Sequence, residues 1–212
     1  LKAKLLGVEK LAYYDRAAPV AQSEQRVSYT DARDLVLDCY RSFSPELGAV
    51  AEEFFTGGYI DAPPVPGKRG GAFCSYTVPS AHPYVLLNHT GRIGDALTMA
   101  HELGHGVHAA LARPRGVFEF TTPLTVAETA SIVGETIVLE RLLDQAPDAA
   151  TRLSLLAESL DGAVAAVFRQ VAMNRFEDRV HNERRDSGEL AVESINAAWL
   201  DTQADLLGDS VE

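Results

Sequence analysis

Apolar residues recur at every third or fourth position between Thr90 and Ala112, and this periodicity restricts the segment to an α-helix. The apolar positions are Ile93, Leu97, Ala100, Leu103, Val107 and Leu111. Pro114 and Gly116 follow directly and would end the helix. We therefore predict one long helix here.

Most of the remaining chain has the same helical signature. Capping residues and prolines mark the helix starts, and glycines mark several of the ends. The predicted helices cover residues 31–42, 45–56, 123–143, 147–185 and 190–207, with Gly162 as a candidate break in the fourth. The sequence therefore predicts a mainly α fold.

Two short strands precede the long helix. Residues 72–78 and 84–88 have the composition of strands, and Pro79 and Pro83 stand in the connection between them. The preceding segment, 61–71, holds three prolines and three glycines and is predicted to be a loop. A small antiparallel β-hairpin or sheet beside the long helix is the expected result.

Composition excludes several classes of protein. The 212 residues are enough for one domain with its own core, so residues 1–212 are predicted to form a single domain. A net charge of -11 argues against nucleic acid as a partner, and no apolar run reaches the roughly 18 residues of a membrane span. Cys39 and Cys74 are too few for a disulfide framework and are predicted to be reduced. Because the chain starts at Leu1 and stops just after a helical pattern, we expect a piece of a longer protein.

The long helix carries two histidines and a glutamate in a metal-binding arrangement. His101 and His105 are four residues apart, which places both imidazoles on one helical face, within reach of one ion. Glu102 points about 100° away around the helix, so it can take a proton from a water on the metal without binding the ion. Zinc lowers the pKa of such a water to about 7, which allows hydrolysis of an amide bond. The competing interpretation is a helix on which these side chains are merely paired.

A catalytic zinc needs a third protein ligand. His108 lies seven residues from His101, about 10 Å along the helix axis, which is too far for both to bind one ion. Glu128, in the first turns of the next predicted helix, is the predicted third ligand and leaves a fourth position for water. Glu119 and Glu140 are the competing carboxylates.

One further carboxylate has a predicted supporting role. Glu135 follows Glu128 by seven residues on the same helical face. It is predicted to accept a hydrogen bond from a ligand imidazole and so fix the tautomer of that ring. The alternative is an ordinary carboxylate on a helix surface.

Four stretches of the sequence together resemble one peptidase family. Residues 101–108 (HELGHGVH) and 127–131 (AETAS) resemble the thimet oligopeptidase and oligoendopeptidase F family, closest to its bacterial oligoendopeptidase F branch. Residues 67–74 (GKRGGAFC) and 82–88 (HPYVLLN) resemble the same branch, so the resemblance covers most of the chain. It implies a helix-rich, zincin-like catalytic core around a deep channel, with one Zn²⁺ held by two histidines and a glutamate. It also implies cleavage of short oligopeptides and a cytoplasmic location.

The resemblance also implies a substrate-binding strand beside the metal, which would pair with the substrate backbone as in strand addition. Its residues are Tyr84, Val85, Leu86, Leu87 and Asn88. The glycine-rich loop 67–71 lacks the spacing and the following helix of a phosphate-binding loop, so we predict a flexible loop on the substrate side.

The chain departs from the family in length. Family members have a helical region before the matched part and a His- and Tyr-rich segment after it, which is thought to bind substrate and stabilise the oxyanion. His181, the one histidine after the long helix, lies in a charged helical stretch. Three interpretations stay open: a zinc endopeptidase of oligopeptides, a zinc- or peptide-binding fragment without turnover, and a helical interaction domain without metal.

Overall fold

The computed structural model describes residues 2–16, 18–20 and 26–211. Its helices are α1 (Lys2–Leu5), α2 (Tyr29–Phe43), α3 (Pro45–Thr56), α4 (Ile93–Ala112), α5 (Leu124–Asp144), α6 (Ala149–Val164), α7 (Gln170–Ser187) and α8 (Val192–Leu207). Its strands are β1 (Ile60–Asp61), β2 (Phe73–Ser75) and β3 (Tyr84–Leu86). The predicted fold class, mainly α with a small sheet, is confirmed.

The chain divides into two compact units. One comprises residues 24–147, from α2 to α5, and contains the sheet. The other comprises residues 1–23 and 148–212. That the whole chain acts as one peptidase core stays a prediction.

Polar caps define the first two helices of the unit 24–147. The Ser28 hydroxyl accepts a hydrogen bond from the Asp31 N–H at the start of α2. Ser44 does the same for Leu47 at the start of α3, where Pro45 occupies the first turn. Each cap satisfies an N–H group that the first helical turn leaves unpaired, which fixes where the helix begins. Both helices start within two residues of the positions predicted from the sequence.

The described strands form one mixed sheet with the order β1-β3-β2. β2 and β3 are antiparallel, as the hairpin prediction requires, with Cys74 opposite Val85. β1 is parallel to β3 on its other side and was not predicted, because two residues are too few for a strand pattern. The sheet packs against α4 through β2 and β3.

Polar contacts link residues of the loop 61–71 to one another and to Asn88, and the flexibility predicted for this loop stays a prediction. The Lys68 ammonium donates to the Asp61 and Pro63 carbonyls and to the Asp61 carboxylate, at 2.9 to 3.0 Å. The Asn88 side-chain amide donates to the carbonyls of Arg69 and Gly71. Because these acceptors occupy the ammonium of Lys68, that ammonium is not free to bind a phosphate.

In the second unit the long helical tract does not break at Gly162. It continues as α6, a π-helical turn at Ala165–Arg169 and then α7. The helices α7 and α8 are held by an edge-to-face contact between Phe176 and Trp199 and by an ion pair between Arg179 and Asp201 at 2.8 Å. Across the described residues we find no helix that combines the length and apolar character needed to cross a membrane.

Candidate metal centre

α4 provides two histidines and one glutamate to the candidate site. At the start of the helix the Asp95 carboxylate accepts a hydrogen bond from the Arg92 backbone N–H at 3.0 Å, which agrees with the predicted start near Thr90. Most of the helix is buried, yet His101 and His105 retain partial exposure on one face. Since they are four residues apart, their rings lie one turn apart, with centroids separated by 4.9 Å.

The crossing of α4 and α5 depends on glycine. A Cβ atom at Gly104 would lie 2.6 Å from the Ala130 carbonyl oxygen and 2.7 Å from the Ser131 Cα. At Gly134, a Cβ would meet the Tyr40 hydroxyl and the Ala100 carbonyl oxygen, a pair that forms a buried hydrogen bond. These glycines let the two backbones approach closely, which brings the first turns of α5 over His101 and His105.

At that crossing, Glu128 lies next to both imidazoles. Its Oε2 atom is 3.4 Å from His101 Nε2 and 3.6 Å from His105 Nε2. One ligand atom from each residue can be chosen so that all three lie within 4.8 Å of one another. Ligands about 2.1 Å from a tetrahedral ion are separated by about 3.4 Å. The donor set and its spacing therefore fit a metal ion.

Glu135 contacts the other nitrogen of His101. Its Oε2 atom lies 3.1 Å from His101 Nδ1. This hydrogen bond raises the pKa of His101 against the opposing effect of burial. It also directs Nε2 toward Glu128, which is the arrangement that supports imidazole ligands in metal sites.

Ser131 is a neighbour of Glu128 that the sequence analysis did not single out. It is fully buried, and its hydroxyl lies 3.0 Å from Glu128 Oε2 and 2.9 Å from the Glu128 carbonyl oxygen. Its position three residues after Glu128, one turn along the helix, was the available signal. The hydroxyl limits the rotation of the Glu128 carboxylate.

The environment of Glu102 shifts the protonation equilibrium of its carboxyl toward the neutral form. Burial raises the pKa of this carboxyl to about 7, with Glu128 adding to the rise and His101 opposing it. The backbone N–H of Cys74 also lowers this pKa, which means that β2 borders the carboxyl. A buried carboxyl that can gain or lose a proton near neutral pH is suited to proton transfer.

The other candidates lie elsewhere. His108 and Glu119 line a separate pocket. Glu140 is exposed on α5, and His181 is exposed on α7. Among the described residues, His101, His105 and Glu128 form the one group of histidine, cysteine and acidic side chains with the spacing of metal ligands.

The predicted pairing of β3 with the substrate backbone is wrong. β3 is the central strand, so the Tyr84 to Leu86 backbone is already paired with β2 and β1. The N–H groups of Val85 and Leu87 donate to Tyr59 and Asp61. Val85 and Leu87 are buried, and Asn88 holds the loop 61–71. An additional strand can join only an edge of this sheet.

Among the described strands, the sheet edge next to the site belongs to β2. The N–H groups of Val85 and Leu87 point to β1. Backbone groups alternate in direction along a strand, so those of Leu86 point to β2, where Leu86 pairs with Phe73. The N–H and C=O groups of Cys74 then point away from β3. That edge is also where the Cys74 N–H interacts with Glu102.

The sequence of this chain also matches that of a known protein family. Residues 43–212 match the sequence profile of peptidase family M3. The chain belongs to peptidase family M3. The family consists of metallopeptidases, so membership implies a metal ion, and the resemblance drawn from the sequence motifs is confirmed.

Curated relatives of the chain are bacterial oligopeptidases. Oligopeptidase PepF of Bacillus subtilis is 28% identical over 213 residues, covering 100% of this chain and 32% of the relative. The chromosomal oligoendopeptidase F of Lactococcus lactis subsp. cremoris is 29% identical over 202 residues, covering 94% and 33%. The chain therefore spans about a third of the length of these relatives.

Solved structures show the same fold. A protein from Chlamydophila abortus, assigned as a peptidase, superposes with a TM-score of 0.74 at 27% identity, over 100% of this chain and 36% of that one. A Bacillus anthracis protein assigned as an oligoendopeptidase F has a TM-score of 0.77 at 20% identity, over 97% and 37%. At 20% identity, the similarity to the Bacillus anthracis protein shows the fold alone.

Proposed function

We propose that this chain is the zinc-binding part of an endopeptidase that hydrolyses short oligopeptides. The observation that carries the proposal is the position of Glu128 Oε2, 3.4 Å and 3.6 Å from the Nε2 atoms of His101 and His105. Family membership and the oligopeptidase relatives support the same function. A cytoplasmic setting belongs to the proposal and is supported by two free cysteines, Cys39 and Cys74.

Each residue of the centre has a role in this proposal. His101, His105 and Glu128 hold one Zn²⁺, and Glu135 orients His101. Zinc, when bound, polarises the scissile carbonyl and acidifies the attacking water. Glu102 takes the proton from the water and returns it to the leaving amine. Its buried position removes competing solvent from this transfer.

We further propose that the substrate backbone pairs with the free edge of β2 rather than with β3. The Cys74 N–H and C=O groups point to that edge, where the N–H interacts with the Glu102 carboxyl and the C=O can accept a hydrogen bond from the substrate. A peptide bound there extends the sheet by one strand and carries its scissile bond past the metal ligands.

A substitution at Glu102 tests the mechanism. Glu102→Gln is expected to lower cleavage of a fluorogenic oligopeptide by at least about a hundredfold, because the amide cannot accept the proton of the water. Bound zinc, measured by atomic emission, is expected to stay near one ion per chain.

The matched control is Glu140→Gln, since Glu140 is exposed on α5 and outside the centre. It removes the same charge and is expected to leave both readouts unchanged. Measurable cleavage at the same rate by wild type and by Glu102→Gln would contradict the assignment of the general base.

The short length of this chain relative to its oligopeptidase relatives favours a second candidate function. The chain spans about a third of their length, so residues needed for turnover can lie outside it. In that case the chain binds zinc and peptide without cleavage. Zinc bound with a stoichiometry of one, together with no cleavage by either wild type or Glu102→Gln, identifies this case. A metal content near zero would contradict both candidates.

A further inference from the structure

An exposed arginine and an exposed aromatic ring meet at the start of β2. Cys74 lies opposite the buried Val85, so both of these side chains point to the core side of the sheet. Phe73 precedes Cys74 and points to the other side, where it is 38% exposed. The guanidinium carbon of Arg69 lies 5.5 Å from the centroid of the Phe73 ring. At this distance the ring attracts the cation, which keeps the arginine beside the edge strand.

The cation of Arg69 is not neutralised by the described part of the chain. Arg69 is exposed, and among the described residues no carboxylate forms an ion pair with it. The acidic side chain of the same loop, Asp61, is paired instead with Lys68 at 2.9 Å. The in-plane N–H groups of the Arg69 guanidinium are therefore available to a carboxylate from outside the chain.

The backbone of Arg69 is connected to the sheet. The Asn88 side-chain amide donates to the Arg69 carbonyl at 2.9 Å and to the Gly71 carbonyl at 2.8 Å. Asn88 follows β3 by two residues, so these bonds link the loop to the central strand. They place the base of the arginine side chain near the start of β2, within reach of Phe73.

A peptide paired with the β2 edge would pass this arginine. This step rests on the proposed function, which places the substrate backbone along that edge. The peptide residue opposite Phe73 would point its side chain to the same face as Phe73, with the two Cβ atoms about 4.5–5.5 Å apart. Antiparallel pairing is the more stable arrangement, and it directs the C-terminal end of the peptide toward Phe73 and Arg69.

The chemistry of Arg69 favours a carboxylate at this position. A guanidinium presents a planar set of donors that matches the two oxygens of a carboxylate. The net charge of -11 repels acidic peptides in general, so a carboxylate should be favoured beside Arg69 and not along the whole peptide. The carboxylate can come from an acidic side chain or from the C-terminus of a short peptide.

We propose that Arg69 binds a carboxylate of the peptide substrate beside Phe73, at the start of β2. Phe73 covers one face of the guanidinium, and the edge of the guanidinium binds the carboxylate. Arg69 thereby selects among substrates and takes no part in the hydrolysis itself.

The test moves one carboxylate through an otherwise neutral oligopeptide. The reference peptide has only uncharged side chains, an uncharged N-terminal fluorophore and an amidated C-terminus. Each glutamine is replaced in turn by glutamate, and one further peptide has a free C-terminal carboxylate. Binding is measured by fluorescence anisotropy on the zinc-loaded Glu102→Gln chain, so the result does not depend on turnover.

One glutamate position, or the free C-terminus, is expected to bind roughly three- to fivefold more tightly than the reference peptide. The arm that shows the gain identifies the source of the carboxylate. Carboxylates at the other positions are expected to bind equally or more weakly. Because both charges are exposed to solvent, 1 M sodium chloride is expected to abolish the gain.

Substitutions at Arg69 assign the gain to this residue. In the Glu102→Gln background, Arg69→Gln is expected to remove it and Arg69→Lys to keep part of it. Arg69→Glu is expected to reverse the preference, toward a lysine at the same position or toward the amidated C-terminus. Arg33→Gln is the matched control, because Arg33 lies on α2 and pairs with Asp34, and it is expected to keep the gain.

Several outcomes overturn the inference. One is a zinc-loaded chain that binds the reference peptide and every carboxylate peptide equally. Another is a gain that persists in Arg69→Gln, and a third is an equal loss in Arg33→Gln and Arg69→Gln. Failure of the peptidase proposal is distinguishable, because in that case zinc does not bind, or the reference peptide does not bind in a zinc-dependent way.

Discussion

Two of the three proposed metal ligands, His101 and Glu128, have a second partner that controls their orientation. His101 Nδ1 lies 3.1 Å from Glu135, which leaves Nε2 for the proposed metal. The Glu128 carboxylate contacts the Ser131 hydroxyl at 3.0 Å. Partners of this kind hold ligands close to their bound geometry before the metal arrives, which reduces the entropy lost on binding.

Ser131→Ala is expected to weaken zinc binding about 10- to 100-fold, because the Glu128 carboxylate gains rotational freedom. Zinc affinity is measured by competition with a fluorescent chelator. Thr136→Ala is the control, since the Thr136 hydroxyl bonds the Ile132 carbonyl on the exposed side of α5. An unchanged zinc affinity for Ser131→Ala would show that Ser131 does not position the ligand.

At the scale of elements, the crossing of α4 and α5 determines whether the site exists. The two helices meet through Gly104 and Gly134, where any side chain would meet backbone atoms or the Tyr40 hydroxyl. The histidines come from one helix and Glu128 from the other. A change of the helix separation therefore alters the metal geometry directly.

Gly104→Ala is expected to destabilise the chain by about 1–3 kcal/mol, because its Cβ would lie 2.6 Å from the Ala130 carbonyl oxygen. Zinc affinity should fall as well, since α5 has to move away. Urea unfolding and chelator competition measure the two effects.

Gly162→Ala is the matched control for that experiment. Gly162 is a helical glycine at which an added Cβ meets nothing within 4 Å among the described residues. It is expected to stabilise the chain by about 0.5–1 kcal/mol through helix propensity. Equal stabilisation by both substitutions would contradict the close-crossing argument.

Lys68→Met is expected to release the loop 61–71. The nearly buried Lys68 side chain, 6% exposed, holds that loop through three acceptors. Loss of these bonds should cost about 1–3 kcal/mol and speed amide hydrogen exchange in residues 61–71. Lys10→Met, at an exposed lysine, provides the comparison. Unchanged exchange in the loop would mean that Asn88 is sufficient to hold it.

For the whole molecule, the three proposed zinc ligands all lie in the unit 24–147. A metal that binds the folded chain and not the unfolded one stabilises the folded state by mass action. The proposed centre should therefore couple zinc concentration to unfolding.

Free zinc at 100 times its dissociation constant is expected to add about 2.7 kcal/mol of stability. This corresponds to a rise of about 5–10 °C in the thermal midpoint for a chain of this length. Removal of zinc by EDTA should reverse the shift, and His101→Ala should abolish it. A zinc-dependent shift that persists in His101→Ala would place the metal elsewhere.

Much of the fold and part of the site are encoded locally. The helices α2 to α5 follow from apolar periodicity and from caps such as Ser44, and the antiparallel pairing of β2 and β3 follows from composition. The spacing of His101 and His105 defines a common face on any α-helix, because helical geometry repeats every 3.6 residues. These features depend on residues close in sequence.

The other features of the fold and the site depend on contacts between residues that are distant in sequence. The distance of Glu128 from the two imidazoles depends on Gly104, which lets two backbones meet. The central position of β3 depends on β1, a two-residue strand whose partner is distant in sequence. The pocket that His108 and Glu119 line likewise combines α4 with a loop that has no periodic pattern. Local spacing determines which face a residue occupies, whereas only packing between elements determines which faces meet.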